Sequence, residues 1–305
     1  MPNRPEPADT PASAPAPASI DRLSPVLERF RVRAHHFHSG RLCGVTPFAL
    51  RPGQGFLHVM RDGEMQLTHA ARSGVSRRIT VREPSLLFYP RPLAHSFHNP
   101  PVDGSDYSCA VLEFEGGAQH PLARALPPLV LLPLAAVPSL QHTLALLFAE
   151  TEAVRCGHRL LADRLFEVLL LQLLRWLLDH PAEAGLPLGL LNGLADAQLA
   201  RALTALHERP GEAWSVAEMA RCAGMSRSAF AVAFKRDVGE TPADYLAGWR
   251  LSLAQARLRK GAPLKLIAEQ LGYGSASALS RAFSQKLGCS PRDWLREWLR
   301  ERQTP

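Results

Sequence analysis

Between residues 214 and 298 the chain carries one unit twice, and no other feature constrains its folding as tightly. The copies are residues 217–246 and 266–295: Phe234, Pro242 and Leu246 recur 49 positions later as Phe283, Pro291 and Leu295. Ala220 and Gly224 recur 48 positions later as Ala268 and Gly272, so the turn of the second copy holds one extra residue. A repeat at this period usually builds a stacked array, but two copies joined by a helical stretch are narrower in meaning. Each reads as a short helix (216–222; 264–271), a turn holding a Gly, and a second helix starting near Ser226 or Ser275, both good N-caps. Such a unit is a helix-turn-helix, whose second helix is shaped to enter a DNA major groove. The two motifs span about 215–237 and 263–287.

Helical spacing separates the faces of these second helices. Phe230 and Phe234 lie at i and i+4, as do Leu279 and Phe283, so each pair points into a small core. The other face carries Arg227, Ser228, Ala231, Val232 and Lys235 in the first copy, and Ala276, Ser277, Ser280, Arg281 and Ser284 in the second. Small and hydroxyl side chains around one Arg allow close approach to base edges, with the guanidinium free for guanine and an apolar group for a thymine methyl. An ordinary solvated helix face is the plainer alternative for one such helix; two equivalent faces in one chain argue against it. Between the copies, Thr241-Pro242 reads as an N-cap and first-turn Pro, and a helical pattern runs on to Lys260-Gly261. About 19 helical residues at ~1.5 Å each give roughly 28 Å, which would set the two readers on successive major-groove segments. Charge agrees: residues 196–305 hold 17 Lys/Arg against 11 Asp/Glu, +6 of the chain's net +7, as a polyanionic partner requires.

Residues 196–298 resemble the DNA-binding domain of the AraC/XylS family of bacterial transcription regulators. The matching residues are Met225-Ser226-Arg227-Ser228-Ala229-Phe230, Gly239-Glu240-Thr241-Pro242, Trp249-Arg250-Leu251, Ile267-Ala268, Gly272-Tyr273 and Gly288-Cys289-Ser290-Pro291. The resemblance covers about a third of the chain. It implies a seven-helix domain with base contacts from both second helices, which fall here on Arg227, Ser228, Ala231 and Val232, then on Ala276, Ser277, Ser280 and Arg281; it also implies RNA polymerase as a partner. Val232 departs from the pattern, standing where a long polar or basic residue is common, which leaves Arg227 as the main polar reader of the first copy.

The N-terminal part is read as all-β. After residues 1–20, a Pro/Ala/Ser-rich stretch expected to be a disordered tail with no secretion or transit signal, and a short helix (24–32), strand-like pieces fall at 42–50, 56–61, 64–69, 77–81, 85–89 and 107–114. Pro52-Gly53, Asp62-Gly63, Glu83-Pro84 and Asp103-Gly104 punctuate them. Short strands at this interval suggest a sandwich or jelly-roll barrel. Two fragments are similar to cupin motifs: Gly53-x4-His58-x-Met60 followed by Glu64, and Pro90-x-Pro92-x2-His95-x3-Asn99. AraC-family regulators commonly carry a cupin-like domain here, and residues 38–44 (His-Ser-Gly-x2-Cys-Gly) resemble one subgroup.

A divalent metal is one reading of this barrel: His58, His95 and Glu64 supply nitrogen and oxygen ligands, with His98 or His38 as a fourth. Met60, in the place of the motif's second His, speaks against it. The alternative is that the histidines line a barrel that takes an organic effector, or nothing. Redox sensing through Cys43 and Cys109 is the competing idea, since both fall in expected strands and a reactive thiol needs exposure and a nearby cation; Cys156, Cys222 and Cys289 are assigned no chemistry. Five cysteines without C-x-x-C spacing suit a reducing cytoplasm. The longest apolar run, 165–178, is interrupted by Glu167, Gln172 and Arg175 and is too short to span a bilayer.

The expected architecture is multidomain α+β: a cupin-like β-barrel or jelly roll over 21–134, a helical linker and candidate homodimer region over 135–192 with helices at 139–154 and 159–179, and an all-α DNA-binding domain over 193–305. Residues 181–192 read as the tether itself, with Asp196 capping the next helix. The function expected is a cytoplasmic, double-stranded-DNA-binding transcription regulator, not an enzyme, whose barrel responds to a small molecule, metal or oxidant. Two alternatives stay open, a cupin metalloenzyme with an accessory DNA-binding domain and a non-specific architectural DNA binder.

Overall fold

The computed structural model describes residues 20–303 except Val154; the expected tail, Ile20 apart, and the end of the helix expected at 139–154 lie outside the described residues. After a short helix α1 (Ser24–Leu27), nine strands follow: β1 (Val32–Leu42), β2 (Val45–Phe48), β3 (Gln54–Asp62), β4 (Met65–His69), β5 (Arg78–Val81), β6 (Ser85–Tyr89), β7 (His95–His98), β8 (Ser105–Phe114) and, beyond helix α2 (Pro121–Ala125), β9 (Val130–Pro133). They form two antiparallel sheets, ordered β1-β8-β3-β6-β9 and β2-β7-β4-β5. The expected helix over 24–32 is cut to one turn, and the chain is extended from Val32 onward. β7 and β9 were not expected as strands.

The inner faces of the two sheets enclose one core: Phe48, Phe56, Met60, Leu67, Leu87, Tyr89, Phe97, Tyr107 and Cys109 are all buried in it. The outer face of the larger sheet is buried as well, through Leu57, Val59, Leu86, Phe88, Ala110 and Leu112. That is why β3, β6 and β8 are almost continuously buried instead of alternating, as strands covered on both faces must be. Helices α3 (Gln141–Glu152) and α4 (His158–Asp179) supply part of the cover, α4 lying against β1 and α3.

A helix, α5 (Leu190–Ala195), begins in the last residues of the stretch read as a tether and runs past its end; its Leu190, Leu191 and Leu194 are buried. Seven helices follow: α6 (Ala197–Glu208), α7 (Val216–Ala223), α8 (Arg227–Val238), α9 (Pro242–Arg259), α10 (Leu264–Gln270), α11 (Ala276–Leu287) and α12 (Pro291–Gln303). Local chemistry fixes their starts. Asp196 accepts from Gln198 N and Leu199 N, Ser226 from Ala229 N, Thr241 from Asp244 N and Ser275 from Ala278 N, each satisfying amides that a helix start leaves bare. Ser215 and Glu218 form a capping box at α7. α7 and α8 end on Gly224 and Gly239, both at positive φ.

Candidate DNA interface and sensor core

In α8, Phe230 and Phe234 are fully buried, while Arg227, Ser228, Val232 and Lys235 are exposed and Ala231 is half-buried. Val232 is 70% exposed, more than most large apolar side chains of the molecule. In α11, Leu279 and Phe283 are fully buried; Ser277, Arg281 and Ser284 are exposed, Ala276 and Ser280 half-buried. Two N-capped helices thus present an Arg among small and hydroxyl groups, tied together by the 18-residue α9. Lys235 is not wholly free: its Nζ donates to Gly239 O at 2.8 Å, closing the end of α8.

In the barrel, the structure brings His58 and His95 together, Nε2 to Nε2 at 3.1 Å, with both rings buried. His95 Nδ1 lies 2.8 Å from Leu93 O; a carbonyl only accepts, so that nitrogen carries the proton and His95 Nε2 accepts from His58 Nε2. His58 Nδ1 is then a buried nitrogen without a hydrogen-bond partner. Phe48, Phe56 and Phe97 crowd the pair, and Tyr89 stacks on His95 at 4.0 Å. Burial drives the His58 imidazole well below its ordinary pKa, with His95 and His38 adding to the effect; burial takes His95 down to about 4. The same principle that hides a cation from water keeps both rings neutral.

The other expected metal ligands are elsewhere. Glu64 is exposed at the β3–β4 turn, its backbone carbonyl accepting from Ser105 Oγ at 2.6 Å. His98 follows Phe97 on β7 and so points to the opposite face from the interior, where it meets Thr68 Oγ1 at 2.9 Å. Met60 is buried in the core. Among the described residues no three His, Cys, Asp or Glu side chains converge as metal ligands. Two histidines bonded to each other, with no carboxylate near, do not fit a divalent ion.

The cysteines separate in the same way. Cys109 is fully buried, and burial pushes its thiol pKa up, which withholds the thiolate that redox chemistry needs; it is a small core residue. Cys43 is exposed, its sulfur 3.7 Å from Val102 O. Arg41, the expected cation beside it, donates instead to Asp103 O and pairs with Asp62. A groove of about 330 Å³ opens between β5 and β9, the free edges of the two sheets, lined by Val75, Ile79, Pro128, Leu129, Leu131 and Glu183. Sequence patterning did not reveal it because the groove exists only where two distant edges meet.

Residues 21–179 match the family model described as Cupin, and residues 219–297 the one described as Helix-turn-helix domain. The chain belongs to the cupin family, with an AraC-type helix-turn-helix domain behind the barrel. It is 42% identical over 185 residues to an AraC-like transcription regulator of Streptomyces antibioticus, covering 59% of this chain and 60% of that one. The chain thus spans less than two thirds of that relative's length. It is 27% identical to the RCS-specific HTH-type transcriptional activator RclR of Escherichia coli (strain K12), over 84% of this chain and 90% of that protein. Among solved structures, ToxT from Vibrio cholerae with a bound unsaturated fatty acid is similar over 87% of this chain and 94% of its own, at 14% identity and a TM-score of 0.38. The relatives bear the names of transcription regulators. No helix among the described residues is long and apolar enough to cross a membrane.

Proposed function

We propose that the protein is a sequence-specific, double-stranded-DNA-binding transcription regulator that acts in the cytoplasm and whose barrel senses an effector. The observation that carries this reading is the pair of capped reading helices, each offering an exposed Arg amid small side chains, on one basic domain. Base contacts are assigned to Arg227, Ser228, Ala231 and Val232 in α8 and to Ala276, Ser277, Ser280 and Arg281 in α11, with Lys235 near a phosphate. An organic effector suits the sensor better than a metal, because the interior is aromatic and the histidines pair with each other. RNA polymerase is the downstream partner that an AraC-type domain implies. A homodimer would use the outer stripe of α4, where Leu160, Leu161, Val168 and Leu171 stay exposed; a monomeric mass at tens of micromolar would rule that stripe out.

The test is selection of genomic fragments bound by the purified full chain at ~150 mM salt, beside random competitor, because phosphate contacts make affinity salt-dependent. Enrichment of a few sites, each with two short elements about one helical turn apart, is the expected result. Equal binding to any duplex would favour an architectural binder, and stoichiometric metal with turnover would favour a cupin enzyme. Arg281→Ala should cut discrimination between selected and random DNA by about 1–3 kcal/mol. Lys235→Ala should weaken both alike.

A further inference from the structure

The barrel and the DNA-binding domain share one buried contact surface, and two of its joints lead to the two reading helices separately. The first runs through α5. That helix packs against α2 on one side and α8 on the other, and both Gly189 N and Asn192 Nδ2 donate to Asp237 O, each at 3.1 Å, in the last turn of α8.

The second joint centres on Arg259, the last residue of α9. Its side chain is half-buried, and burial lowers its pKa. A Cβ added to Gly116, in the turn just after β8, would lie 2.6 Å from Arg259 Nη1. On its other side the guanidinium sits over the Trp294 ring of α12, 5.6 Å from the centroid. Trp294 in turn meets Phe283, the buried anchor of α11, edge-on at 5.9 Å. Lys260 pins the same turn through Glu115 at 2.7 Å. Burial alone would raise the Glu115 carboxyl, but the Lys260 ammonium, the backbone N–H of Arg31 and the Arg259 charge outweigh it and hold the pKa below the ordinary value.

We propose that Arg259 is a positioning residue, the link through which the sensor barrel sets the second reading helix, by the path Gly116–Arg259–Trp294–Phe283. The inference rests on the regulator reading. It adds that sensing has a route to α11 that bypasses α8. The strand that leads into the Gly116 turn is well placed for this. β8 lies between β1 and β3, and its Cys109 pairs in register with His58 in the barrel core. A shift of β8 caused by anything that enters the barrel is delivered at Gly116, where the absent side chain lets the guanidinium reach the backbone. Gly116 also has φ +108°, a conformation that suits glycine.

Gly116→Ala in the full chain tests the path, with Gly157→Ala as its control. Gly157 has φ +78° but open space around its Cβ position, so it reproduces backbone strain without the clash. The expected results are faster amide exchange in α11 and α12, and about 2- to 30-fold weaker binding to the selected two-element duplex, the span that coupling residues commonly carry. Arg259→Ala should do the same, and the double variant should add little to either single one. Glu115→Gln, which leaves the backbone alone, should give a milder form of both changes. Exchange in α11 and α12 that responds equally to Gly116→Ala and Gly157→Ala, or full additivity of Gly116→Ala with Arg259→Ala, would overturn the proposal. The exchange readout needs no DNA. A wild-type chain that enriched no sequence would therefore count against the regulator reading, while exchange still decided the role of Arg259.

Discussion

On the proposed reading, Val232 is where one exposed side chain carries specificity. A large apolar group 70% exposed on a reading helix gains nothing in water, and its natural counterpart in a major groove is the thymine methyl. Replacing thymines by uracil in the selected site should therefore weaken wild-type binding by roughly 0.8 kcal/mol for each buried methyl. Val232→Ala should largely lose that sensitivity; an unchanged uracil penalty would place the methyl contact elsewhere. Cys43 and Cys109 present the opposite contrast, two identical thiols divided by burial. Iodoacetamide on the native protein should label Cys43 and spare Cys109 until the chain unfolds, read by peptide mass. Labelling of both at similar rates would mean that the barrel opens far more readily than its packed interior suggests.

At the level of elements, legibility followed the range of the interactions that make each one. The helix-turn-helix units were readable because their signals are local: Ser226, Thr241 and Ser275 cap, Gly224 and Gly239 terminate, and the Phe230/Phe234 and Leu279/Phe283 pairs mark the buried stripe. β6 was also readable, a short apolar run between turn residues. β1 was not, since its pairing shifts register between His36 and His38 and the bulge disrupts the alternation that marks a strand. β7 and β9 are four residues each, flanked by prolines, and exist only by pairing with β2, β4 and β6. Of the candidate metal ligands, His58 and His95 meet in the core while Glu64 and His98 lie elsewhere, because spacing does not say which face a strand residue takes. The start of α5 lies in residues 181–192, which were read as a tether from their Gly, Pro and Leu content; six residues do not hold a helix unaided, so burial must. Leu191→Ala should then cost about 2–5 kcal/mol of stability, as core Leu truncations do, seen as a lower thermal midpoint. A change within experimental error would restore the tether.

For the whole molecule, buried neutral histidines make stability depend on pH in a stated direction. His95 lies in the barrel, His120 in the joint against Phe30, and His207 in the core of the DNA-binding domain, where its Nε2 meets Tyr245 OH at 2.6 Å. Burial, the largest cause in each, lowers the pKa to about 4 for His95 and His120 and about 3 for His207. In the unfolded chain each returns to about 6.5. Below 6.5 the unfolded state binds protons that the folded state refuses, so stability is at its plateau above pH 6.5 and falls as pH drops toward 4. Each histidine contributes roughly 1.4 kcal/mol per pH unit inside that window. Urea unfolding midpoints should be level between pH 7 and 8 and fall steadily from pH 6 to 4.5. Because His120 and His207 flank the Phe30–Trp249 contact that joins barrel to α9, the loss should reach both domains together rather than one first. His207→Phe should remove about one histidine's share of the slope, though it strands the Tyr245 hydroxyl and lowers the plateau as well. A midpoint that stayed flat down to pH 5 would mean that these rings accept protons while folded, and that the joint around Trp249 admits water.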